Sequence, residues 1–297
     1  MTPDPAAAVA RYAHLGLHLA GGVGDRPGER RIPGRTDVTG IEPEAWTPYT
    51  PGDDLRHLDW NALGRLDTLL VRRFTAEREV VLHLLLDTSA SMDACADDHK
   101  LATATELALA LATIGVSSGY ALRLTFLEDG GLGRRSARHR RRTGLIALAT
   151  MLGDATAGGA LDVGAALGDW AHRHRERGVV FILSDLLVEP ASLEPGLAAL
   201  HARGFAVHLL QVLGRSEWEP SAHAGGSFED AESGAVHTVA CTPTVLARYH
   251  ELLEQHQMAL AAVASRTGAT HACLLTDTPV HAFVTGELAR RGLVRPR

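Results

Sequence analysis

The sequence predicts an α/β protein: a doubly wound, mainly parallel sheet with helices on both faces, plus an irregular or small β N-terminal segment. Two observations carry this. From Glu79 onward, short continuous apolar runs alternate with long Ala/Leu-rich stretches of helical period. Before that point the chain is rich in Gly, Pro and charge and shows little periodicity, which predicts a division into residues 1–78 and 79–297.

The first element of the sheet is VVLHLLLD (80–87), a continuous apolar run of the kind that lies buried on both faces. KLATATELALALATIGVSSG (100–119) places Leu101, Leu107, Leu111 and Ile114 on one helical face. YALRLTFL (120–127) is the second strand. The segment 161–178 is helical and leads into VVFILSD (179–185), another buried strand. A helix over 191–204, a strand over 205–213 and a long helix over 243–268 follow, then a strand over 271–277 and a helix over 279–292 that opens with Pro279. Residues 128–142 and 214–235 read as loops, the second with a short hairpin. Strands and helices alternating at these lengths imply right-handed βαβ crossovers. Ligands of such sheets bind beyond the carboxyl ends of the strands, where Asp87, Asp185 and Asp277 all fall.

Composition narrows the function. The chain has 297 residues, 45% of them hydrophobic, with a net charge of −6, which does not suggest general binding of nucleic acid or membrane surfaces. Cys95, Cys241 and Cys273 are far apart and form no CxxC pair, which argues against a disulfide framework or a zinc site. The N-terminus lacks a secretory leader pattern, and no stretch has the roughly 18 to 20 uninterrupted apolar residues of a membrane span. A cytoplasmic location is the expectation.

HLLLDTSASMD (83–93) delivers Asp87, Ser89 and Ser91 to one tight turn. Oxygen-only ligands in such a turn suit a hard cation such as Mg²⁺. Asp and Ser are also common caps on ordinary strand-to-helix loops, so the stretch alone leaves both readings open.

Asp87-Thr88-Ser89-Ala90-Ser91 resembles the DxSxS signature of von Willebrand factor A-like domains. Just upstream, residues 49–79 resemble the bacterial family called "domain of unknown function 58", whose pattern is carried here by Tyr49, Gly52, Asp53, Asp54, Arg56, Asp59, Trp60, Arg65, Glu77 and Arg78. The resemblance spans roughly residues 45 to 290. It implies the doubly wound fold and a non-enzymatic protein–protein interaction adaptor. It further implies a metal-ion-dependent adhesion site (MIDAS), in which Mg²⁺, or Mn²⁺ or Ca²⁺, keeps one position open for a partner's carboxylate. The implied partners are a MoxR-type AAA+ ATPase and a client protein, in chaperone-like assembly or maturation.

In such a site Ser89 and Ser91 can ligate the ion directly, with Asp87 and Asp185 acting through water. The sequence departs from the family pattern at one place. Where the family supplies a Thr before a helix, GGALDVGAAL (158–167) has Ala160 or Leu161. Asp162 could compensate or simply cap the helix, and Thr156 lies several residues early. The signature carboxylates Asp53, Asp54 and Asp59, with Arg56 and Arg65, read as Arg–carboxylate pairs clamping the N-terminal segment onto the sheet rather than as a catalytic cluster. Trp60 is a packing anchor or an interface residue.

Three further motifs invite functional readings. GVSSG (115–119) matches a nucleophile elbow, but in helix-then-strand order, the reverse of what the elbow needs. GGVGDRP (21–27) lacks the spacing and the preceding strand of a phosphate loop. RRSARHRRR (134–142) carries six Arg without interleaved aromatics, so it reads as a solvated loop, or as a contact for an acidic patch on a partner ATPase. The rival from another class is a metal-dependent phosphatase or hydrolase using Asp87, Asp185 and Asp277. It needs a base near the site, and His99 is the nearest candidate in sequence.

Overall fold

The computed structural model describes residues 3–18, 29–32, 45–73, 76–174, 178–220, 226–232, 234–240 and 242–297. The chain divides into two compact units, Met1–Ala20 with Val80–Arg297, and Gly21–Glu79. The stretch 21–27 and Cys241 lie outside the described residues.

The larger unit opens with α1 (Pro5–Tyr12), capped by Asp4, whose carboxylate accepts from the Ala6 N–H at 2.8 Å. β1 (Leu15–Leu17) follows. The expected single segment 1–78 is therefore corrected at its start, because residues 1–20 belong with the sheet-bearing unit. The cause is packing. Ala8, Tyr12, Leu15 and Leu17 are buried in its core, and the Leu17 N–H donates to Ser118 Oγ at 2.8 Å.

The smaller unit contains β2 (Glu29–Ile32), β3 (Ala45–Pro48), a 3₁₀ turn at Leu55–His57, α2 (Trp60–Leu66), β4 (Leu70–Arg73) and β5 (Ala76–Glu79). β2 pairs with β5 and β3 with β4, both antiparallel. Glu77 and Arg78 stand in β5, opposite Arg31 and Arg30.

The central sheet consists of β6 (Val81–Asp87), β7 (Ala121–Glu128), β8 (Gly131–Arg135), β9 (Gly178–Ser184), β10 (Ala206–Leu213) and β13 (Thr270–Leu275), in the order β13-β10-β9-β6-β7-β8. Every pairing is parallel except that of β8 with β7. Each residue of β6 and β9 is buried, which explains why both read as unbroken apolar runs.

Side chains alternate across β6. Leu82, Leu84 and Leu86 pack with α3 (Lys100–Ser117) and α4 (Gly144–Gly153) on one face. Leu85 packs on the other with α5 (Val163–Arg173), α6 (Pro190–Ala202) and α8 (Pro243–Arg266). α3 has the length and apolar composition of a membrane span, but 78% of it is buried inside the unit, as befits a core helix. α5 and α6 approach so closely that a Cβ on Gly196 would stand 2.5 Å from the Gly164 carbonyl oxygen. We expect Gly196→Ala to lower stability by 1 to 3 kcal/mol or about that, an overpacking penalty measurable by urea unfolding.

The chain ends with α7 (Arg215–Trp218), the hairpin β11 (Gly226–Glu229) and β12 (Val236–Val239), α9 (Val280–Phe283) with a π turn at Val284–Leu288, and β14 (Val294–Pro296). β14 pairs antiparallel with β1. Elements absent from the sequence reading are α1, β1, α4, β14, the short helix α7 within the expected loop 214–235, and the antiparallel edge strand β8 within the expected loop 128–142.

Candidate metal-dependent interaction site

β7 lies on one side of β6 and β9 on the other, so the sheet changes winding direction between β6 and β9. Crossovers leave to opposite faces there and open a crevice at the carboxyl ends. Asp87 ends β6, and Asp185 directly follows β9. A pocket of about 280 Å³ opens at this point, lined among others by Asp87, Ser89, Ser91, Leu161, Asp185 and Glu232.

The floor is tightly organised. Asp87 is 1% exposed, and its carboxylate accepts from the Ser89 N–H at 2.8 Å and from Ser184 Oγ at 2.6 Å. The Ser89 and Ser91 hydroxyls lie 3.0 Å apart. Burial pushes the Asp87 carboxyl up from the ordinary range, and the facing Asp185 carboxylate pushes it further. Ser89, Ser91, Asp87 and Asp185 thus converge as the sequence predicts, and their all-oxygen chemistry fits a hydrated hard cation. Among the described residues no three His, Cys, Asp or Glu side chains come close enough to chelate an ion by themselves, so hydroxyl and water oxygens would have to complete the shell.

Asp162 stands apart from these four. It does not line the pocket. It is the N-cap of α5, accepting from the Ala165 N–H at 2.9 Å. Asp162→Ala is expected to cost about 1 kcal/mol of thermal stability and to leave cation binding unchanged. Asp277 is likewise displaced from the crevice, lying 3.2 Å from Arg215 and nearly half exposed. His99 adopts a left-handed backbone at the start of α3 and does not line the pocket.

Sequence reasoning missed Lys100. Its ammonium is 1% exposed and lies 2.9 Å from Asp185 Oδ2 and 2.5 Å from Glu217 Oε1. The two carboxylates hold its pKa above the ordinary lysine value against the opposing effect of burial, so it stays protonated. Lys100 neutralises one side of Asp185 and fixes its carboxylate. A lysine in the first turn of an otherwise apolar helix, unfavourable to the helix dipole, was the available signal.

The upstream signature builds local structure within its own unit. Asp53 accepts from the Thr50 N–H and hydroxyl beside Gly52, whose φ of +105° suits glycine. Asp54 pairs with Arg56 at 2.7 Å. Asp59 caps α2 through the Asn61 and Ala62 amides and accepts from the Trp46 indole N–H at 2.8 Å. Arg65 lies in the last turn of α2, and Trp60 is 67% exposed, which suits an interface residue better than a packing anchor. The Arg-rich stretch is partly folded: Arg134 pairs with Glu128 and lies 4.8 Å over the Phe126 ring, while Arg135 contacts His174.

A family model, "Protein of unknown function DUF58", matches residues 46–259. The chain belongs to this DUF58 family. A relative of Mycobacterium tuberculosis, "Uncharacterized protein Rv1480", is 31% identical over 272 residues, covering 89% of this chain and 78% of the relative. The same figures hold for "Uncharacterized protein Mb1516" of Mycobacterium bovis. Among solved structures, the BatB protein of Bacteroides thetaiotaomicron is similar at 12% identity and a TM-score of 0.45, over 72% of this chain and 98% of that one. A von Willebrand factor type A structure from Catenulispora acidiphila is similar at 16% identity and a TM-score of 0.37, over 64% and 44%. This DUF58 chain has a doubly wound, mainly parallel α/β fold.

Proposed function

We propose that the protein is a non-enzymatic adaptor that binds a partner's carboxylate through a hydrated Mg²⁺ at the β6–β9 crevice. The observation that carries this is the convergence of two buried carboxylates and a hydroxyl pair at the sheet's winding reversal. Ser89 and Ser91 would face the ion directly, while Asp87 and Asp185 orient its water shell. Bound there, the ion would supply positive charge at an open coordination position. Because Lys100 already balances Asp185, that charge is not cancelled by the floor.

The family resemblance supports a MoxR-type AAA+ ATPase as the working partner, with a client protein presented to it. The hydrolase alternative is weaker. The pocket lining includes no His, Cys or Lys among the described residues, Asp277 is engaged elsewhere, and Lys100 is held protonated by its two carboxylates.

Calorimetric titration with Mg²⁺ and Mn²⁺ tests the reading. Wild type should bind, and Asp87→Ala and Ser89→Ala should each weaken binding by about tenfold or more. Absence of binding by wild type at millimolar metal would sink it. Turnover of generic phosphoesters that vanishes in Asp87→Ala would restore the hydrolase.

A further inference from the structure

The β11–β12 hairpin stands apart from the central sheet. Every residue of β12 is exposed, with Val236 62% and Val239 36% accessible, and β11 pairs only with β12. Yet its tip is not adrift. Asp230, Ala231 and Glu232 line the mouth of the pocket above Asp87 and Asp185. The tip is shaped by the Glu232 N–H donating to Asp230 Oδ1 at 2.9 Å, and by the Asp230 N–H donating to the Ala235 carbonyl at 2.8 Å. Glu232 shares the lining of the pocket with Leu161.

The tip therefore lies beside the very loop where Ala160 and Leu161 leave the site without a threonine oxygen. A third carboxylate thus faces two others across a small pocket, and each repels the rest. A cation between them reverses the sign of that interaction. The residues of β12 are all exposed and bury little apolar surface.

We propose that Glu232 is a further carboxylate of the cation site, acting through the ion's water shell from the side of the missing threonine, so that cation binding latches the hairpin over the pocket. The proposal rests on the reading of the crevice as a cation site. It makes the hairpin tip the element that a partner's carboxylate must move aside. Glu232 also adds negative charge on the open side, which offsets part of the loss of the hydroxyl ligand.

The test uses Mn²⁺ alone as the probe, on the full chain, with two readouts. Mn²⁺ affinity is measured by electron paramagnetic resonance, and amide hydrogen exchange is followed across residues 226–239. In wild type, saturating Mn²⁺ should slow exchange in the hairpin. Glu232→Gln should weaken Mn²⁺ by about tenfold, the scale of an outer-shell partner, and abolish the metal-dependent protection. Because the hairpin is exposed and Gln is close in size, the variant should keep the wild-type thermal midpoint. Equal Mn²⁺ affinity in wild type and Glu232→Gln, with hairpin exchange indifferent to metal in both, overturns this inference and leaves the cation site standing. No Mn²⁺ binding by wild type overturns the site reading and this inference together.

Discussion

Lys100→Met should destabilise the protein by about 3 to 5 kcal/mol, the largest effect expected of any single side chain here. The substitution keeps the length of the side chain and removes its charge. It leaves Asp185, 5% exposed and facing Asp87, without the cation that now lies 2.9 Å away, and leaves Glu217 without its partner at 2.5 Å. Two buried carboxylates then repel each other with no compensating charge. Equilibrium unfolding in urea measures the loss. The double variant Lys100→Met/Asp185→Asn should recover part of it, because the stranded charge is gone. Strictly additive losses in that cycle would show that Lys100 stabilises the fold independently of Asp185.

Acidification should unfold the protein through its buried histidines. His83 is fully buried in β6, stacked edge-on against Trp170 at 4.8 Å, and neither ring nitrogen has a hydrogen-bond partner among the described residues. Burial lowers its pKa to about 3, and nearby His174, Arg123, Arg138 and Arg135 contribute in the same direction. His208 and His271 are each lowered to about 4, again chiefly by burial. A base depressed in the folded state contributes stability that is fully present above its unfolded pKa of about 6.5 and is lost as pH falls toward the folded value. From pH 6.5 to 4 the unfolded chain takes up protons that the native chain refuses, at a cost of up to about 1.4 kcal/mol per unit for each such group. For His83 alone this is on the order of 3 kcal/mol across that window. Thermal midpoints measured from pH 7 to 4 should fall steeply in wild type and less steeply in His83→Leu. An identical slope in the variant would place the acid sensitivity elsewhere.

What was legible in the sequence was what burial writes plainly. β6 and β9 are covered on both faces, so their apolar runs admit few other readings, and the carboxylates at their ends mark the crevice. β8 was illegible because its GLGRR sequence has neither alternation nor β-branched residues; it is an edge strand held by pairing to β7. α4 escaped because GLIALATMLG is short and apolar with no side-chain cap, a pattern that periodicity cannot separate from a buried strand. Asp162 shows the limit of spacing: its position suits a ligand and a cap equally, and only the bond to the Ala165 amide decides. Lys100 left only the weak signal of its place in the first turn of α3, and Glu232 left none, for a different reason. Each reaches the site from far along the chain, Lys100 meeting Asp185 across 85 residues, and tertiary placement of that kind leaves little local trace.

The pairing of β1 with β14 also fixes an order of events during synthesis. Leu17 meets Val294 across nearly the whole polypeptide, and the Gly21–Glu79 unit intervenes early in that span. For a flexible chain, closing a loop of this length costs about 5 kcal/mol of entropy. The first strand therefore has no sheet partner while the ribosome makes the intervening residues, and it finds one only once Val294–Pro296 have been made. Until then α1 and β1 can be held only through the core around α3, by Ala8, Tyr12 and the bond from the Leu17 N–H to Ser118.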